Sequence, residues 1–155
     1  MAINLNILRE EILNDPMNLG FNQYVSIRND VEVVNLMNQT NLGSNFLIDR
    51  GRISKDDFIE LTSQIVLGLM IADKNGNEEA KFWLAVFDRL VANSETINCQ
   101  DSALDSVLNE LLVANFVTAE QIQNIKTKHG SRAEKLFGQK VSLDDVSNSL
   151  NEGTN

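Results

Sequence analysis

The sequence predicts an all-α protein, a compact single-domain bundle of about six to eight helices around a central antiparallel helical hairpin. Three observations carry that expectation. The run Ile65-Val66-Leu67-Gly68-Leu69-Met70-Ile71-Ala72 has no polar side chain and continues the one-sided spacing of Phe58, Leu61 and Ile65. A helix starting at Ser54 is therefore expected to be half-buried at first and buried on every side from Ile65 onward. A second apolar run, Phe82-Trp83-Leu84-Ala85-Val86-Phe87, follows across the turn Asp73-Lys74-Asn75-Gly76-Asn77, which makes the two segments a hairpin. Third, Ser54, Thr118 and Ser142 each precede Asp57, Gln121 or Asp145 by three residues, with Ile53/Phe58, Val117/Ile122 and Val141/Val146 as flanking apolar pairs. That layout is the capping box with its hydrophobic staple, weaker in its two Asp versions. Ser131 with Glu134 adds a fourth box.

From the N-terminus, Leu5, Leu8 and Ile12 form a stripe with Arg9, Glu10 and Glu11 opposite. This amphipathic helix must stop near Asp15, because Pro16 disfavours helical geometry in the residue before it. Met17, Leu19 and Phe21 alternate and are expected on the core; Asn29 or Asp30 then caps a helix carrying Val31, Val34, Leu36 and Met37. Residues 38–52 have no period, so a loop with a short helical or extended piece is expected there. Leu104, Val107, Leu108, Leu111 and Leu112 keep strict helical spacing to about Asn115. A shorter helix runs from Ala119 to about His129, closed by Gly130 in a left-handed conformation. Leu136 and Phe137 turn inward, Gly138 ends that segment, and Leu143–Leu150 is the last helix. The domain thus covers 1–150, and 151–155 is a frayed tail. Its core is expected at Phe58, Leu61, Ile65, Leu69, Phe82, Val86, Leu104, Leu108 and Leu111. Gly68 should mark a close helix crossing, since glycine in mid-helix costs roughly 1 kcal/mol relative to alanine.

The 155 residues suffice for one core without staples, and the single cysteine forms no internal disulfide and suits a reducing compartment. The start Met-Ala-Ile-Asn-Leu does not have a signal peptide's basic and apolar segments, so synthesis in the cytoplasm is expected. A formal charge of −9 opposes both nucleic-acid phosphates and anionic membranes. Neither is expected as a partner.

Candidate chemistry fares poorly against local structure. Asp73–Asn77 resembles a calcium loop, but aligning Gly76 with the loop's glycine puts Ile71 at the first ligand and Phe82 at the bidentate acid. His129 stands without metal or triad neighbours beside Lys126 and Lys128, where cations suit a helix C-terminus. Cys99 sits at a helix start that could lower its pKa, yet no adjacent base makes it a nucleophile; an inert, partly buried thiol is expected. Asp56-Asp57 and Glu78-Glu79 fall in first helical turns, where acids meet exposed amides. No catalytic residue, cofactor or metal site is expected, and the chain is read as no enzyme. One basic stretch remains: Lys126, Lys128, Arg132, Lys135 and Lys140. A helix-turn-helix there would have a second helix of only about six residues, without Asn or Gln for base edges. These five residues are instead the candidate contact to an acidic protein surface, on an end of the fold expected to be exposed.

Gly130-Ser131-Arg132-Ala133-Glu134-Lys135-Leu136-Phe137-Gly138, followed by Val141, Asp145 and Val146, resembles the ending of a group of small proteins encoded in tailed-phage genomes. That group opens with a short helix, then Asp-Pro-Leu, a glycine and an aromatic; Asp15, Pro16, Met17, Gly20 and Phe21 are similar, with Met17 in place of leucine and Phe21 in place of tyrosine. No catalytic or binding residues are established for the group, so none carries over. The resemblance implies a phage origin and a virion-associated or assembly protein of the tail, neck or head–tail region, with other phage structural proteins or further copies of itself as partners. The alternative is a free intracellular accessory protein that binds a host protein or nucleic acid. Arg132 stands out, because a helix's first turn favours an acid; a carboxylate partner in the fold or on another protein is expected.

Overall fold

The computed structural model describes residues 1–152. Helices dominate, with 63% of the described residues helical. They are α1 (Leu5–Asn14), α2 (Asn22–Val25), α3 (Asp30–Asn38), α4 (Lys55–Lys74), α5 (Glu78–Ala92), α6 (Ser102–Val113), α7 (Ala119–Lys126), α8 (Arg132–Phe137) and α9 (Leu143–Asn151). The fold is nevertheless not strictly all-α. Four strands, β1 (Leu47–Asp49), β2 (Arg52–Ser54), β3 (Thr96–Asn98) and β4 (Thr127–His129), form two small sheets, β1 with β4 and β2 with β3. In the second sheet the strands are antiparallel, with Ile53 opposite Ile97. Strands of three residues are too short to show an alternating pattern; the extended piece expected within 38–52 corresponds to β1 and the start of β2, whereas no strand is expected at β3 or β4.

The backbone divides into two compact units: Met1–Ile48 with His129–Asn155, and Asp49–Lys128. No change of composition marks the division, because the chain passes between the units within β1 and β4. The remainder of the frayed tail expected at 151–155, Gly153–Asn155, lies outside the described residues; α9 itself includes Asn151.

In the unit spanning Asp49–Lys128, α4 and α5 form the expected hairpin across Asn75–Asn77, with Gly76 at φ 89°. Phe58, Ile65, Leu69, Leu104, Leu108 and Leu111 are buried as expected, joined by Ala80, Trp83, Phe87 and Ile125. Leu61 and Val86 are half-buried. Phe82 is the miss, 59% exposed, with its ring edge-on to Trp83 at 5.0 Å. Adjacent aromatics cannot both face inward on a helix, and the larger Trp83 with Phe87 four residues on takes the core side. Burial on every side also fails for α4: Leu67, Met70 and Ile71 are exposed. Nothing lies within 4 Å of the position a Gly68 Cβ would occupy, so no helix crosses there.

The other unit packs α1 and α3 on α9 and α3 on α8. Leu8, Ile12, Phe21, Val33, Met37, Ala133, Val141, Val146 and Leu150 are its core. α1 ends at Asp15 in a left-handed conformation, φ 43°. The Asp15 carboxylate then accepts bonds from the backbone N–H groups of Leu19, Gly20 and Phe21 at 2.7, 2.8 and 3.3 Å, which folds the turn back and buries Phe21. Both bonds of the capping box form at Thr118/Gln121, Ser131/Glu134 and Ser142/Asp145. At Ser54 the hydroxyl accepts from Asp57 N–H. α7 ends three residues earlier than expected, and Gly130 does not provide a left-handed cap. It permits a close approach instead: a Cβ there would stand 2.7 Å from Ile48 Cδ1.

Candidate functional site

Charge and hydrogen bonding divide the five cations of the basic stretch. Lys126 and Lys128 belong to the unit spanning Asp49–Lys128, and Arg132, Lys135 and Lys140 to the other. Lys128, Lys135 and Lys140 are exposed, as expected. Lys126 is not: its side chain is 18% exposed and its ammonium pairs with the Asp105 carboxylate. Helix α7 carries it toward α6, where Asp105 occupies the first turn. Arg132 is also turned inward. Its Nε donates to Glu11 Oε1 at 2.6 Å and a terminal nitrogen donates to Oε2 at 3.1 Å, a fork-on-fork pair with both side chains largely buried. The carboxylate expected for Arg132 is thus Glu11, and Glu11 does not lie on the solvent side of α1. Lys135 Nζ donates to the Leu47 carbonyl at 2.6 Å.

Two residues that periodicity does not single out organise the surroundings of Lys126. Arg50 donates side-chain bonds to the carbonyls of Asn124 and Thr127 at 3.0 and 2.9 Å, and its N–H donates to Lys126 O at 2.7 Å. Gln100 Nε2 donates to Arg50 O and Lys126 O at 2.9 and 2.8 Å. Carbonyls of the last turn of α7, Asn124 and Lys126, and of Thr127 just after it are thereby satisfied by side chains from earlier in the chain. Cys99, next to Gln100, is fully buried. Burial pushes its thiol pKa up, against the lowering influence of the Arg50 and Lys126 charges, so a helix start does not activate it. His129 is exposed and lies in β4.

The other surface feature is apolar. On α4, Ile59, Leu67, Met70 and Ile71 are 46%, 48%, 55% and 54% exposed. Beside them a groove of about 430 Å³ runs between α4 and α5, lined by Val66, Leu67, Met70, Leu84, Phe87 and Val91 among others. Among the described residues, no group of three or more His, Cys, Asp or Glu side chains is placed to hold a metal ion, and no helix is long and apolar enough to cross a membrane. Comparison with family models, with curated proteins and with solved structures found no match.

Proposed function

We propose that this chain is a non-enzymatic phage protein that packs against other virion or assembly proteins. The observation that carries the reading concerns the two segments that resemble the phage group. Both lie in one unit, and each of their charged side chains has an internal partner: Asp15 holds three backbone N–H groups, Arg132 holds Glu11, Glu134 closes the Ser131 cap and Lys135 reaches Leu47. Residues shared for that reason define a scaffold, which suits a protein that acts by shape and contact. Exposed Lys128 in one unit and exposed Lys140 in the other are then each a cation offered to an acidic partner, and Lys126 and Arg132 serve the fold.

Mass spectrometry of purified particles tests the assignment. Stoichiometric presence is the expected result. Absence removes the virion-component version and leaves the free intracellular accessory protein in its place. For the contact itself, Lys128→Gln and Lys140→Gln, made separately, test each unit: at the unit that meets the partner the change should weaken association and reduce its salt dependence.

A further inference from the structure

We propose that the solvent face of α4 is a self-association surface, on which a second copy of this chain packs antiparallel across a two-fold axis between Ser63 and Leu67. At 3.6 residues per turn, Phe58, Thr62, Ile65 and Leu69 turn one side of α4 to the core, and all four are buried. The opposite side carries Asp56, Ile59, Glu60, Ser63, Leu67, Met70, Ile71 and Lys74 in sequence order. Exposed apolar residues scattered singly are ordinary; four large ones along one face, continuous with a groove floored by Phe87, form a patch of the kind that marks contact sites.

Charge selects the occupant. The stripe has its acids toward its N-terminal end, Asp56 and Glu60, and Lys74 in its last turn. Laid antiparallel about its midpoint, the stripe sets its acidic end against the basic end of the second copy: Asp56 meets Lys74 of that copy with Glu60 one turn away, Ile59 meets its Ile71, Glu60 its Met70 and Ser63 its Leu67. Each pair occurs twice, as an isologous contact requires. A parallel arrangement would set Asp56 against Asp56, and the two helix dipoles would add unfavourably. Leu67 and Met70 of each copy then enter the α4–α5 groove of the other. The proposal deepens the protein-contact reading by naming one partner, and it does not depend on a phage setting. A dimer read in solution and a protein counted in particles can each fail alone.

Sedimentation equilibrium of the full chain from micromolar to millimolar concentration is the test. The parent should show a monomer–dimer equilibrium, and Leu67→Glu should weaken it at least about tenfold with unchanged helical circular dichroism. Asp56→Lys and Lys74→Asp should each weaken it, since each sets like charges opposite one another twice, and the double exchange should restore it. A parent that stays monomeric overturns the proposal, and so does a dimer indifferent to Leu67→Glu. Failure of the double exchange to restore association overturns the antiparallel register.

Discussion

The two units are held together by different means. In Asp49–Lys128 the core cluster is aromatic and aliphatic, contributed above all by α4 and α5, and the long-range polar bonds of Arg50 and Gln100 to the end of α7 lie at exposed or half-buried positions outside it. In the other unit, α1 must meet α8 and α9 across the whole intervening chain, and polar side chains make the specific junctions. Glu11 and Arg132 are 121 positions apart. Asn38 bonds both the N–H and the carbonyl of Val141 through its side chain, at 2.9 and 2.8 Å. Ser147 donates to Asp30 at 2.8 Å. Apolar contact is non-directional and tolerates sliding; a forked ion pair and a two-way amide bond do not. A unit assembled from distant segments has more alternative pairings to exclude, and directional bonds do so.

That contrast is most directly broken at Arg132. Arg132→Ala leaves Glu11 as an uncompensated, largely buried charge and should cost about 3 kcal/mol in urea denaturation. Replacing Glu11 and Arg132 together by leucine should cost much less than the sum of the single changes, because no lone charge remains. Additive losses would show that the two residues act separately and that the junction is apolar after all.

Asp15 comes next. Asp15→Ala strips three N–H groups of their acceptor and places alanine at a positive φ, and a loss of about 2 kcal/mol is expected. The comparison is Thr118→Ala in the other unit, a single cap expected to cost about 1 kcal/mol. Equal losses would mean that the Asp15 turn is no more than a helix end.

Legibility in the sequence follows the same division. Local grammar was readable: α6 from its leucine spacing, α4 from its cap and α9 from Ser142 and Asp145. The inward face of α5 was not, because Phe82 and Trp83 satisfy the same apolar pattern one residue apart and only packing chooses between them. Arg132 was legible as an anomaly, since its charge opposes the helix dipole, but its partner Glu11 looked like a solvent residue among Arg9 and Glu10. Arg50 and Gln100 left no signal, because a side chain bonded to distant carbonyls has no period. The basic stretch illustrates the limit: five cations close in sequence fall into two units, two of them paired with carboxylates.

Two glycines sharpen the comparison at the smaller end of the scale, with opposite signs. In Gly130→Ala the new Cβ would stand 2.7 Å from Ile48 Cδ1 and 3.1 Å from both Ile48 Cγ1 and Glu134 Oε2. The side-chain end of Ile48 has to move, and a loss of about 1 kcal/mol is expected. Ile48→Val removes Cδ1 and should recover part of it. A full loss persisting in Gly130→Ala/Ile48→Val would place the constraint in the backbone rather than in that contact.

Gly68→Ala should do the reverse. Gly68 lies in the interior of α4, its φ is not positive, and a Cβ there meets nothing within 4 Å. Alanine restricts the unfolded chain and suits the helix, so a gain of about 0.5–1 kcal/mol is expected in thermal or urea denaturation. Measured at low concentration, the gain reports the isolated chain. Gly68 lies on a flank of α4, away from the Asp56–Lys74 stripe, so the monomer–dimer constant should be unchanged by the substitution. A gain in monomer stability accompanied by weaker association would mean that a second backbone closes on Gly68 in the dimer, and the contact would have to rotate about α4 toward that flank. A loss of stability in the monomer itself would show that something within the chain approaches Gly68.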